Sequence, residues 1–436
     1  MRLIVYFLVI ISLPFTSWCQ SKLSLKEAIA SMLSNNYDIT LLKNDWQASS
    51  LNNSKANAGI GPRVNLIASD NLSNNNLRQR FTNGNEIKRD FVFGNNFNAG
   101  ILLNWTIFDG YRMYATKRRL ELLEKQGEAN YQLAIEASLS QLIKAYYDIA
   151  RSKLQLQNTE RLIQLLNDRL TLAKSRFEIG TASKLDYLQT QVEWRTQENN
   201  RLQQLSLIAN AKLTLAQLMG KVEIADFDIS DSLSATVPFA VYPNDIALTN
   251  NQQIIAQSFQ KSIAEASVAE TRALSKPQVG LQSGYNFAFS QSQAGFSLFN
   301  LTHGLFVGLN FLMPIYDAGL NRRQVEVAKL NAQSALTRGN QLRDVITSAY
   351  RKAYNDYQLA VQQFENERNT LKIIEELYTI AFERFKVNQS ANYLEIKEIQ
   401  KSLEDSRFRQ VSTLYEAKLA EIELLKFQGK LLTASY

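Results

Sequence analysis

Residues 97–110 read FNAGILLNWTIFDG. Phe97, Ala99, Ile101, Leu103, Trp105 and Ile107 alternate with Asn98, Gly100, Leu102, Asn104 and Thr106, the period-two pattern of a strand with one apolar and one small or polar face. The stretch closes on Ile107-Phe108-Asp109, and that ending returns as Ile315-Tyr316-Asp317. Lys144-Ala145-Tyr146 returns as Lys352-Ala353-Tyr354, and Arg176-Phe177 as Arg384-Phe385, each at an offset of 208 positions. One offset held over ~70 residues marks two ungapped copies of a single unit.

Each copy carries a strand pair. Val64–Asp70 begins the partner of the quoted strand, with a polar, Asn-rich loop from Asn71 to Asn95 between them. In the second copy Val279, Leu281, Tyr285, Phe287 and Phe289 alternate with Gly280, Gln282, Gly284 and Asn286, and Leu305, Val307, Leu309 and Phe311 with Phe306, Gly308 and Asn310. The alternation fits a wall with lipid on one side and water on the other. It fits a half-buried soluble sheet equally well.

The helices decide between these readings. From Tyr111 to Glu178 there is no proline and one glycine, with Leu139, Leu142, Tyr146, Ile149, Leu162, Leu165 and Leu172 at heptad-like spacing. Such a helix is a rod on the order of 100 Å, too long for a compact domain. The second copy repeats it over 320–386. Two shorter helices in each copy sum to the same length, so each repeat reads as one long helix beside two coaxial short ones. Segments 20–225 (strand hairpin 62–109, long helix 111–178, return helix 183–219) and 243–436 (hairpin 277–317, long helix 320–386, return helix 391–432) are the repeats, and 226–242 the linker. Four strands cannot close a membrane barrel, which takes about eight or more, and open edges are not tolerated in lipid. Closure has to come from further copies of the chain.

Arg2, an apolar run over 3–15 and the small residues Ser17 and Cys19 have the layout of a secretory signal peptide, 1–19. Cys19 is the only cysteine, either the last residue removed or an acylated first residue. It excludes an intramolecular disulfide and a thiolate metal cluster. The formal charge of +7 is dispersed through mixed-sign helices, without the basic block that tracks nucleic acid. No mature apolar stretch is long enough for a transmembrane helix. With one histidine, His303, no familiar nucleophile, base and orienter set can be assembled. The chain reads as neither an enzyme nor a holder of metal or cofactor.

Ala58-Gly59-Ile60-Gly61-Pro62 and Lys276-Pro277 enter the strands, and Ile107-Phe108-Asp109-Gly110 and Pro314-Ile315-Tyr316-Asp317 leave them. The first tip is Arg176-Phe177-Glu178-Ile179-Gly180-Thr181-Ala182-Ser183-Lys184-Leu185-Asp186. In order, spacing and duplication these motifs resemble the TolC family of outer-membrane efflux proteins, over essentially the whole mature chain. The resemblance implies a mainly α fold with a transmembrane β-barrel part: a homotrimer whose chains give four strands each to a 12-stranded barrel, continued by a long α-helical coiled-coil barrel in the periplasm. It implies a passive exit duct of a tripartite efflux or type I secretion system in the outer membrane of a Gram-negative bacterium. The implied partners are outer-membrane lipid, a periplasmic adaptor (membrane fusion protein) and an inner-membrane pump of RND, ABC or MFS type. A secreted coiled-coil scaffold is the alternative, but it has no use for four amphipathic strands.

At the tips, Gly180 and Asn388 tolerate the left-handed backbone of a helix C-terminus, and Thr181 or Ser183 can cap the next helix, with Asp186 three residues after Ser183. By the resemblance, Arg176, Gly180, Ser183, Arg384, Asn388 and Ser390 meet the adaptor. Asp186, Asn392, Tyr393 and Glu395 are gate or lumen candidates. Glu395 lies one helical turn beyond Asn392, so three copies about an axis would bring like charges together and offer a cation site; a solvated helix face is the plainer reading. Tyr393 reads as a packing residue or part of a latch. The second tip is two residues shorter than the first and has Asn392 where Asp186 stands. Lys144 and Asp148, and Lys352 and Asp356, are spaced for i,i+4 support within the long helices.

Overall fold

The computed structural model describes residues 21–221, 227–233, 250–294, 297–387 and 393–432; the segment 1–19 read as a signal peptide and most of that read as the linker lie outside them. The elements are β1 (Ser21–Leu23), α1 (Leu25–Asn35), α2 (Tyr37–Asn52), β2 (Pro62–Arg80), β3 (Glu86–Phe108), α3 (Arg112–Glu178), α4 (Lys184–Leu218), β4 (Phe227–Ile229), α5 (Gln252–Ala273), β5 (Gln278–Ser292), β6 (Phe299–Leu312), α6 (Leu320–Val387) and α7 (Tyr393–Phe427). The long helices α3 and α6 run 67 and 68 residues. The compact units do not follow the repeats. One comprises residues 1–40, 134–247 and 348–436, the other 41–133 and 248–347, so each draws on both copies.

In the second unit the strands form one antiparallel sheet in the order β2-β3-β5-β6. Its register aligns rows of opposed residues across all four strands. Leu66, Ile101, Tyr285 and Leu305 make one row, and Val64, Leu103, Ser283 and Val307 the next on the same face. The intervening rows, Asn65-Leu102-Gly284-Phe306 and Ile67-Gly100-Asn286-Gly304, belong to the other face. Opposed residues share a face, so the sheet has a large-apolar side and a side of small and amide residues. Leu66 is 80% exposed and Leu305 83% exposed, leaving the apolar side uncovered within one chain. His303 lies in β6 opposite Phe287, its Nδ1 2.9 Å from the Tyr285 hydroxyl.

The Asn-rich segment is not a loop. β2 and β3 stay paired to Arg80 and Glu86, and only Phe81–Asn85 turns. Asparagine is a weak strand former, but the cross-strand ladder overrides that preference. A bulge on β3 places Phe91 at φ 58, with its N–H donated to Asn76 Oδ1 at 3.0 Å. The repeated aspartates also find a role. Met113 N–H donates to both Asp109 oxygens (3.1 and 2.9 Å), and Asn321 N–H to Asp317 Oδ2 (2.8 Å), so the aspartate between strand and helix caps the long helix in each copy, directly after β3 in the first and five residues past β6 in the second.

The first unit buries Leu139, Leu142, Ile143, Tyr146 and Ile149 of α3 completely or nearly so. The first of the two shorter helices of copy one is broken at Asn36, whose extended backbone separates α1 from α2. The Asn36 side chain accepts from Ile39 N–H (3.2 Å) and donates to the Leu218 carbonyl (3.0 Å), which makes the break worth more than a continuous helix. The linker supplies β4, which pairs parallel with β1. Asp231 then gathers Leu25 N–H at 3.0 Å and the Tyr146 hydroxyl at 2.8 Å. Burial opposes ionisation there, but these hydrogen bonds outweigh it and hold the Asp231 carboxyl below the usual range. Lys144 pairs with Glu423 of α7 rather than with Asp148, which takes Arg151 at 2.6 Å. In the second copy Lys352 and Asp356 are exposed. The equal spacing of the two copies thus conceals different surroundings.

A Cβ built on Gly284 would lie 2.3 Å from the Ile101 carbonyl oxygen and 3.2 Å from the Phe306 ring. Gly284→Val should therefore destabilise the sheet by about 2 kcal/mol or more, read as a lower thermal midpoint of the detergent-purified protein; an unchanged midpoint would contradict this packing.

Candidate functional site

The first tip is built by helix-end chemistry. Gly180 at φ 78 ends α3, with Gly180 N–H donating to the Phe177 carbonyl at 3.0 Å and Thr181 N–H to that of Arg176 at 2.9 Å. This is the Schellman pairing, which needs a left-handed residue at that position. Ser183 is the N-cap of α4, accepting from Asp186 N–H at 3.1 Å, and Phe177 stacks on Tyr187 with centroids 6.0 Å apart. Asp186 in the first turn favours the positive helix end.

Arg176 reaches across to α6. Its Nη2 donates to the carbonyls of Phe385 (2.5 Å) and Lys386 (3.2 Å), and its guanidinium lies over the Phe385 ring at 4.7 Å. A cation on the otherwise unpaired carbonyls of a helix end satisfies them and opposes the dipole. Arg384 meets Glu395 at 3.6 Å with both side chains at least half exposed, a pair in the weak class of surface ion pairs. Asp186 contacts neither arginine among the described residues. Asn388, Ser390 and Asn392 lie outside the described residues, and Tyr393 is described only as the first residue of α7.

Behind the tip, Leu371, Tyr378, Phe385, Ile396 and Leu403 form a buried cluster, with Leu165, Leu172 and Phe382 packed against it. Arg169 is fully buried beside it. Its Nη2 is 2.7 Å from Glu193 Oε2 and its Nη1 2.5 Å from Gln400 Oε1, while Lys397 reaches the other Glu193 oxygen at 3.3 Å. One buried cation thus ties α3 to α4 and α7. Sequence reading overlooked Arg169, although it had a signal: it occupies the apolar stripe between Leu162, Leu166 and Ala173 of α3, as Gln400 does between Ile396 and Leu403 of α7. Charges placed where a heptad wants leucine are registry devices in coiled coils.

Among the described residues no helix is long and apolar enough to cross a membrane, and no group of three or more His, Cys, Asp or Glu could hold a metal ion. The strand rows and the capped first tip lie within a family match over residues 28–221 and 245–430. The chain belongs to the outer membrane efflux protein family. Among relatives in the family's range, CyaE of Bordetella pertussis is 23% identical over 266 residues, 60% of this chain and 55% of that protein. The chain therefore spans little more than half of that relative's length. The outer membrane efflux protein BepC of Brucella suis is 21% identical over 76% of this chain and 72% of its own. In fold, the Campylobacter jejuni CmeC outer membrane channel superposes with a TM-score of 0.79 at 15% identity, covering 93% of this chain and 85% of that one. Like other TolC-type chains, this one is mainly helical with a strand part and two internal repeats.

Removing one partner of a buried ion set is costly, so Arg169→Met should lower stability to urea by roughly 3 kcal/mol, followed by helical circular dichroism. Arg384→Ala should change it by less than about 1 kcal/mol. Glu136, only 5% exposed, has its carboxyl pushed by burial from 4.5 up to about 7, partly opposed by Lys426. A raised carboxyl favours the fold below 4.5 and loses that contribution as pH climbs through 7. Glu136→Gln should thus match wild type near pH 4 and exceed it at pH 8, by up to about 3 kcal/mol; a constant gap across that range would contradict the assignment.

Proposed function

We propose that the chain is the outer-membrane exit duct of a tripartite efflux or secretion system, acting as a homotrimer. The observation that carries this reading is the β2-β3-β5-β6 sheet, with an uncovered apolar face and two open edges. Strand directions alternate across it, so β6 of one copy can pair antiparallel with β2 of the next. Three copies give twelve strands, a size within the range of membrane barrels. The large-apolar face then meets lipid and the small, amide-rich face lines the pore. A secreted scaffold would leave the apolar rows in water.

In this reading the helices form a periplasmic tunnel that docks on an adaptor and, through it, on an inner-membrane pump. Arg176, Gly180, Ser183 and Arg384 supply the docking turns, with Asn388 and Ser390 in the adjoining tip. Glu395 and Asp186 face the constriction. The weakness of the exposed Arg384–Glu395 pair suits a contact that docking must open, whereas the buried Arg169 set holds the helices in register behind it. Substrate choice rests with the pump.

The test is planar-bilayer conductance of the purified oligomer, with its mass measured in parallel. A three-chain species with small channels is expected, and a soluble oligomer without conductance would overturn the reading. Glu395→Gln should change single-channel conductance or cation block; if both stay at wild-type values, Glu395 does not line the gate.

A further inference from the structure

The β2–β3 hairpin outreaches its neighbour. β5 and β6 are paired only as far as Gln291 and Phe299, where the same row crosses Asn95 and Leu72, whereas β2 and β3 continue to Arg80 and Glu86. On the large-apolar face, aromatic residues stand at both limits of this shared part. Trp105 and Phe311 lie toward the helices, and Phe93 and Phe299 lie at the far end. From Phe311 to Phe299 is twelve residues, ~40 Å along a strand and ~30 Å along the membrane normal at a tilt of ~40°. That is the height of an apolar band with its two aromatic girdles.

Beyond the band the same face becomes basic. The bulge adds its residue to β3, so β2 keeps its alternation and Arg78 shares a face with Leu66 and Leu72. Arg78 stands directly opposite Lys88, and both are exposed. Arg80 is matched by Glu86 at 3.5 Å, but neither Arg78 nor Lys88 joins an ion pair among the described residues. Directly opposed like charges cost stability in a sheet. Arg78 is six residues past Leu72, which puts the pair ~15 Å beyond the apolar band at the same tilt. An anionic phosphate held between them would relieve the repulsion, the guanidinium taking it in a two-pronged hydrogen bond and the ammonium as a point charge.

We infer that Arg78 and Lys88 form a docking surface for the phosphate of a phosphorylated glycolipid in the outer leaflet surrounding the barrel. The inference rests on the outer-membrane reading, because only that reading places the hairpin tip in a layer of anionic sugar headgroups. The apolar rows hold the acyl chains, and the cationic pair engages the phosphate above them.

The experiment uses the detergent-purified full-length oligomer and the Arg78→Gln/Lys88→Gln double variant. Each is incubated with rough lipopolysaccharide and with the same lipid after phosphatase treatment, and retained lipid is counted by native mass spectrometry. Wild type should retain the phosphorylated lipid about 10- to 30-fold more than the double variant, two surface cations being removed. It should show the same preference over the dephosphorylated lipid. Equal retention of the two lipids by wild type would overturn the site whether or not the variant assembles. Equal retention of the phosphorylated lipid by both proteins would do the same. Bilayer conductance of the same preparations separates this proposal from the one beneath it: absent conductance in wild type strikes at the duct, while normal conductance with no phosphate preference strikes only at the lipid site.

Discussion

Each outer strand of the β2-β3-β5-β6 sheet leaves a row of backbone N–H and C=O groups without a partner, and lipid supplies none. Every such group costs several kcal/mol in hydrocarbon, far beyond what side chains on one face can offset. In the proposed duct the sheet is complete only when β6 and β2 of different copies pair. The small face follows from the same demand, since Gly284 allows a carbonyl of the neighbouring strand to approach where any side chain would collide. The helices are bound to this arrangement by Asp109, which directly follows β3, and Asp317, five residues past β6, which accept from the first turns of α3 and α6.

The helical part solves a different problem. Long helices with repeated apolar stripes can slide by a turn at little cost, because one leucine layer resembles the next. Arg169, Glu193 and Gln400 break that degeneracy: the buried guanidinium finds its partners only in one register of α3, α4 and α7. Such a set adds specificity more than stability. The contacts grade outward from there. Arg176 caps backbone carbonyls of α6 at the tip, and Arg384 and Glu395 end the series as an exposed pair.

Local periodicity made the architecture legible before any tertiary contact was known. Period-two alternation around Ile101 and Leu305 and unbroken heptad-like runs around Leu142 and Leu371 are set by each segment's own residues. So are the Gly180 helix end and the Ser183 cap, whose hydrogen bonds close within a few positions. Arg169 was legible too, as a cation in an apolar stripe, but only a reading that looked for interruptions would have found it.

The sequence by itself determined the element types, the duplication and the four amphipathic strands, because those depend on contacts a few residues apart. Tertiary structure alone decided that the Asn-rich arms of β2 and β3 remain paired, since weak strand formers hold only against a partner strand. It also decided the break at Asn36, set by the Leu218 carbonyl, and the β1–β4 pairing of segments some two hundred positions apart. The choice of Glu423 over Asp148 by Lys144 was settled in the same way. In each case the deciding partner is distant in the chain, and no local pattern encodes which distant group will arrive.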